Sequence, residues 1–423
     1  MLNNRANLNL LAVSSSAKET AINTPQTLDT SLLVEASDYI NLDVRRESNA
    51  NEANGREEAD VLYDNGATAS GALNFSKLQP HQVAFLLAFG LGTVATEAAG
   101  TGYKHTITPI SGDVDGQRSN PSFTAAQRIG QTINKRRFAS CFVDSLSITF
   151  AKDDWVKASG QVKATGLYTD TVIEEDVTAM DNATTLNLSQ AVAGATAQQR
   201  LDSVQVVRAV SGGGYKFAAV SAVSAATPAV LTISSLGGAG TSTTYKVLYT
   251  PADPAWATFP ARVTETPMRV SQACLYLGGT WDGTAFVGGK AVGAEIESCE
   301  YSLANNLQVQ FALCAGGAYA GIAFRDGRSQ SIKLSQEMRT MLLQTYMANT
   351  EYFGLHILCE GAEFDTGHNY TLELIFPRVA VLSAPLSTSG KKVAEAGDLQ
   401  VLEDGTYGSV IAIVKNKVAS YAA

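Results

Sequence analysis

From residue 145 the chain reads SLSITFAKDDWVKASGQVKATGLY, with apolar and polar positions alternating along its whole length. With the strand period of two, Leu146, Ile148 and Phe150 point to one face and Ser145, Ser147 and Thr149 to the other. KDD makes the turn. The return strand then puts Val156, Ala158, Gly160, Val162, Ala164, Gly166 and Tyr168 on one face, opposite Lys157, Ser159, Gln161, Lys163 and Thr165. At about 3.3 Å per residue, a return strand over residues 156–168 spans roughly 40 Å, about twice the usual length. A lone ribbon of that length leaves open edges, so the pattern predicts edges paired between subunits in a β-wall with one wet face, like a barrel lining a channel. The wall or lumen hairpin positions are Ser147, Thr149, Lys157, Ser159, Gln161 and Lys163.

Elsewhere, short alternating or β-branched runs separated by Gly, Asp, Asn, Ser and Pro predict mainly β structure. Two helices interrupt it. After the strand-like GALNF, Ser76 is placed to cap KLQPHQVAFLLAFG, with Pro80 in the first turn and Gly90 as the stop; after SIKL, Ser335 is placed to cap QEMRTMLLQTYMAN. Both helices sit in one order of elements. The order is strand, polar or Gly-rich stretch, strand, helix, strand (YKHTITP in the first half, YTLELIFP in the second), then a hairpin region, which points to a duplication. A second similarity, VDSLSITFA with IESCEYSLA, runs in a register that this duplication does not support. Between the halves lies a segment poor in charge and rich in Ala, Gly, Ser and Thr, read as an inserted module of about four short strands. The expected domains are therefore 1–169, 170–266 (an Ig-like or small-barrel module) and 267–423.

The composition of these 423 residues, 45% hydrophobic with 36 glycines, is enough for a packed core. A net charge of -9 argues against sequence-independent attraction to nucleic-acid phosphates. Neither a window of roughly 18 apolar residues nor a signal-like start is present, so a membrane-spanning or signal-directed protein is not expected. Five scattered cysteines without CxxC spacing read as reduced, buried hydrophobes. Chemistry is sparse. His81, His105, His356 and His368 are too far apart for a zinc site, and SGGGYK and GGAGTST lack the spacing that cradles a phosphate. No nucleophile elbow, EF-hand loop or triad emerges, so no catalytic, cofactor-binding or metal-ligating residue is nominated and an enzyme is not expected.

Two charged stretches remain. Residues 45–60, RRESNANEANGREEAD, form either a flexible surface loop or an arm ordered against a neighbouring subunit. Lys135, Arg136 and Arg137 form a basic cluster expected to pair with an acidic neighbour. The contact candidates between subunits or rings are thus Arg45, Arg46, Glu47, Glu52, Arg56, Glu57, Glu58, Arg136 and Arg137.

Several of these runs together resemble the tail tube (major tail) proteins of long-tailed, non-contractile bacteriophages. They are EASDYINLDVRRES, GALNFSKLQPHQVAFLLAFGLG, YKHTITP, the DSLSITFAKDDWVKASGQVKATGLY hairpin, IESCEYSLANNL, SIKLSQEMRTMLLQTY and YTLELIFPRV. The resemblance covers both halves but not the insert. It implies two tandem tube-type β-sandwich domains, each with a flanking α-helix, and stacked rings forming the hollow tail tube through which genomic DNA leaves. It further implies trimeric, pseudo-sixfold rings first and hexameric rings second. The terminator, distal tail and tape-measure proteins would be further partners, DNA would be non-specific lumen cargo, and the virion tail, assembled in the bacterial host cytoplasm, would be the location. The alternative from the residues is a secreted or surface β-rich adhesin or binding module.

Overall fold

Eight antiparallel strands lie side by side in a continuous wall. In order they are Ile40–Ser48, Leu62–Phe75, Lys157–Ala164, Asn134–Ala151 (through its residues 141–151), Ile296–Ala304, Ser329–Glu337, Lys392–Val401 and Leu386–Ser389. The computed structural model describes residues 6–53, 55–110, 120–130, 134–211, 214–252, 254–293, 295–312, 318–389 and 391–423. Cys314, Gly212 and Gly213 lie outside them. Contacts divide the chain into two compact units. One comprises Met1–Ala12, Ala126–Arg137 and Tyr168–Pro260; the other, which holds the wall, comprises Val13–Ala125, Phe138–Leu167 and Ala261–Ala423.

Alternation builds the wall. Leu146, Ile148, Phe150, Ala158, Val162, Ala164, Tyr301, Leu303, Ile332 and Leu334 are buried on one side of it. A second layer runs Gly92–Ala99, Gly102–Pro109, Ile411–Asn416, His368–Ser383, Tyr352–Asp365 and Ala273–Trp281. The long His368–Ser383 strand leaves this layer and pairs its residues 379–383 with Lys392–Val401, so it stitches the two layers together. Helix α1 (Pro80–Leu91) is buried at every residue. It packs on the second layer and reaches the wall through two glycines. A Cβ at Gly160 would lie 2.9 Å from Leu86 of the helix, and one at Gly90 would lie 2.9 Å from Leu146 of the wall. Phe85, Phe89 and Phe123 fill the space beside it with ring centroids 5.0 to 5.1 Å apart.

Helix α1 starts later and ends later than the sequence pattern predicts. Pro80 lacks an N–H and takes the first helical position, so Gln79, not Ser76, becomes the cap, with Gln82 reaching back to its N–H at 2.9 Å. The stop is Gly92 at φ +102°, where a side chain would strike Ile110; Gly90 is needed inside the helix for packing. Glu265 anchors the first turn, accepting from the His81 backbone N–H at 2.8 Å and from the Lys417 N–H at 3.1 Å. The second expected helix is shorter: Ser335 continues the Ser329–Glu337 strand, because alternation and pairing with Lys392–Val401 hold it there. The helix α3 spans only Leu342–Asn349. The long member of the opening hairpin is the outgoing strand of 18 residues, and the return strand holds eight. Gly166, at φ +92° and pressed against the Ala67 carbonyl, ends it.

The two similar stretches are neighbours, not repeats. Residues 145–151 pair antiparallel with 298–304, with Ile148 opposite Tyr301. The order of elements fares differently. The first half supplies strands in the order pre-loop, pre-helix, return and outgoing, and the second half supplies Ile296–Ala304, Ser329–Glu337, Lys392–Val401 and Leu386–Ser389 in the same order.

In the other unit, seven strands form two sheets over one core. Ile173–Met180, Ser242–Tyr249, Val204–Ser211 and Gly214–Phe217 make the first; Thr185–Asn187, Val230–Ile233 and Val220–Val223 make the second. Leu186, Val207, Leu231, Tyr245, Val247 and Tyr249 are buried between them, and a short helix α2 (Ala197–Asp202) is capped by Thr196. Burial first and the Glu175 carboxylate second push the Tyr249 hydroxyl up to about 12, which keeps it a donor at 2.6 Å from Glu175.

Gly160→Val drives a branched side chain into Leu86 and is expected to cost about 1–3 kcal/mol, read as a lowered unfolding midpoint; an unchanged midpoint refutes the close packing. A second expectation concerns acid. Burial raises the Asp29 carboxyl, but hydrogen bonds from the side chains and backbone N–H groups of Ser15 and Ser16 outweigh it and hold the pKa below 3.8. A depressed folded pKa stabilises above the unfolded value and is lost as pH falls through the folded one. Denaturation midpoints compared at about pH 7 and about pH 3 should therefore show a smaller acid loss in Asp29→Asn than in the parent chain.

Candidate assembly surfaces

The outer face of the wall is made of hydroxyls, amides and balanced charge. All six hairpin positions named from the sequence fall on it. Ser147 meets Ser159 with hydroxyls 3.0 Å apart, Thr149 stands opposite Lys157, and Gln161 and Lys163 stand opposite Ala72 and Ser70. Strand register extends the face across the second half. One row runs Asp398, Lys333, Glu300, Thr149, Lys157; another runs Gln400, Ser331, Ser302, Ser147, Ser159, Asn74. Sequence reading missed the second-half members, although SIKLSQE and IESCEYSLA carry the same alternation.

Each lysine of this face has a carboxylate beside it. Lys157 lies 2.6 Å from Asp154, Lys163 lies 3.1 Å from Asp144, and Lys333 stands between Glu300 and Asp398 in the register. Directly opposed side chains have Cβ atoms about 5 Å apart, close enough for opposite charges to offset one another. A polyanion against this face meets no uncompensated cationic stripe.

The paired strands Ile40–Ser48 and Leu62–Phe75 outrun the wall. The return strand begins to pair only at Ala69, so residues 44–48 and 62–67 continue as a two-stranded ribbon. Arg45, Arg46, Glu47, Glu52, Arg56, Glu57 and Glu58 are all exposed there. Arg45 stacks over Phe311 at 5.0 Å, Arg46 pairs with Asp64 at 2.7 Å, and Arg56 with Asp60 at 3.4 Å. Asn49, buried, closes the loop by donating to Asp60 at 2.7 Å and accepting from the Asp60 and Val61 N–H groups. Val44, Val61, Leu62 and Tyr63 are exposed on the same ribbon.

Arg136 and Arg137 belong to the other compact unit and are held within it. Arg136 makes a two-pronged contact with Asp170 at 2.6 and 2.7 Å, and Arg137 stacks over Trp256 at 5.1 Å. The acidic neighbour of the basic cluster is thus in the same chain. Among the described residues no group of three or more His, Cys, Asp or Glu could hold a metal ion, and no helix is long and apolar enough to cross a membrane.

No family model matches the chain, and no curated protein is significantly similar to it.

Replacing Glu300 with Gln together with Asp398 with Asn leaves Lys333 without its flanking carboxylates. Binding of duplex DNA at about 50 mM salt is expected to rise by roughly tenfold and to fall again with added salt. No gain over the parent chain would mean that these carboxylates do not neutralise the face.

Proposed function

We propose that the chain is the repeating subunit of a hollow tube of the phage tail type, assembled from rings whose inner wall is this sheet and whose lumen passes DNA. The observation that carries the reading is an eight-stranded wall with one wet face and two unsealed edges. Among the described residues, Ile40–Ser48 pairs only with Leu62–Phe75. At the other end, Leu386–Ser389 pairs only with Lys392–Val401. Exposed apolar side chains gather at both ends: Val44 and Leu62 at one, Leu382, Leu386 and Val393 at the other. Edges of this kind demand a partner, and joining unlike edges head to tail gives a ring where the rotation closes.

Inside the chain the same junction is already made once. The outgoing strand of the first half pairs with the first wall strand of the second half, Ile296–Ala304. By the shared order of elements, Leu386–Ser389 of one copy and Ile40–Ser48 of the next would repeat that junction. Three copies then give a wall of two dozen strands made of six similar four-stranded sets, and the tandem tube-type domains are these sets with their helices. The compensated lysines suit a lumen that must not retain DNA. The catalytic role is none in this reading, and the seven-stranded unit is an accessory module.

Negative-stain images and native mass measurement test it. Rings, stacked tubes and a mass of three chains are expected. A monodisperse monomer at every concentration, with no tubes in any field, sinks the proposal. A second reading, a β-rich adhesive module, draws on Tyr215 and Phe217, exposed on the Gly214–Phe217 edge strand with Arg208 over the Tyr215 ring at 4.9 Å. That reading gains only if the monomer holds a ligand that Phe217→Ala releases.

A further inference from the structure

The sandwich of wall and second layer is open at one rim. A cleft of about 890 Å³ lies there, between Phe150, Ile296 and Cys299 of the wall and Leu275 and Ile357 of the second layer, closed at the side by Trp155. Apolar side chains form its depth and charged ones, Lys152, Asp153, Asp154, Arg269 and Glu297, also line it; a cleft this size holds several side chains. It sits where Ala151 pairs with Ser298 and the chain turns through residues 152–154.

Strand direction places the ribbon at the opposite rim. Phe75 pairs with Ala158, near the turn, whereas Ala69 pairs with Ala164 and the chain continues away from the turn to Leu62 and the loop beyond. The ribbon past Ala67 reaches roughly 16 Å further at about 3.3 Å per residue. One copy cannot bring the two together. Copies stacked rim to rim bring them face to face.

We propose that this cleft is the receptor for the ribbon of a second copy of the chain, with Leu62 and Tyr63 entering between the layers. The inference rests on the tube reading and adds to it the contact between successive rings. Side-chain chemistry matches. Leu62 is 57% and Tyr63 48% exposed, which a lone chain leaves in water, while the cleft offers apolar surface. The ribbon loop carries both signs, Arg56 beside Glu57 and Glu58, and so does the cleft: Arg269 and Lys77 lie over the Trp155 ring at 5.0 and 5.9 Å, and Lys152, Asp153 and Glu297 line it. Asp154 on that rim is already engaged by Lys157.

A native thiol makes the contact measurable. Cys274 lines the cleft and is exposed, whereas Cys141, Cys299 and Cys359 are buried. A Leu62→Cys chain, assembled and then oxidised with copper phenanthroline, is expected to give a ladder of disulfide-linked species on a non-reducing gel. Adding Cys274→Ser should abolish the ladder, and Leu62→Asp should leave rings but remove tubes. Tubes from the Leu62→Cys chain without a ladder, a ladder that survives Cys274→Ser, or tubes from Leu62→Asp each overturn the receptor assignment while the ring reading stands. A parent chain that forms neither rings nor tubes overturns both.

Discussion

The backbone pairing of residues 145–151 with 298–304 is the constraint on which the rest of this molecule depends. Without it, the two halves would each end in an unpaired edge near the middle of the chain, where an exposed row of N–H and C=O groups invites association with anything extended. With it, eight strands share one pleat and one register, and every side chain is assigned to one of two faces. A shift of one residue at this junction would exchange Ile148 and Tyr301 for Ser147 and Ser302 in the core. The burial of Tyr301, whose hydroxyl meets Gln330 at 2.7 Å, helps exclude that slip.

Helix α1 sets how thick the layered core must be. Glycine at 160 lets Leu86 settle against the wall backbone, and glycine at 90 lets Leu146 settle against the helix. The helix has no polar face because none of its faces meets water, so periodicity could mark a helix there without revealing that it is enclosed. The Glu265 carboxylate that holds its first turn comes from 184 residues further along the chain than His81, a distance at which no local pattern carries information.

Strand alternation was the legible part. The opening hairpin, its turn at KDD and the face of Ser147, Thr149, Lys157, Ser159, Gln161 and Lys163 follow from a period of two. Lengths were less legible, because they were fixed by contacts: Gly166 meets Ala67 and ends the return strand, while the outgoing strand continues N-terminally to Asn134. Ser76 and Ser335 have good capping chemistry, yet Pro80 and the Lys392–Val401 strand decide otherwise. The likeness of VDSLSITFA to IESCEYSLA reflects neighbouring places in one wall, where both strands turn one side to the core and the other outward. Seven strands stand in the other unit where about four runs were legible, because strands of three or four residues, such as Thr185–Asn187 and Gly214–Phe217, are too short to show a period.

Charge on the wall's outer face follows from the same geometry. The lysines at 157 and 163 look, in the sequence alone, like obstacles to a passage for a polyanion. In three dimensions each has its own carboxylate within 3.1 Å, and Lys333 lies between two more in the register. Such pairs face solvent at least in part and contribute little to stability. Their consequence is electrostatic: at physiological ionic strength, where the Debye length is about 8 Å, a neutralised pair presents almost no field beyond its own neighbours. The face is therefore hydrophilic with its lysines offset by carboxylates, and each half of the chain supplies the carboxylates for its own lysines.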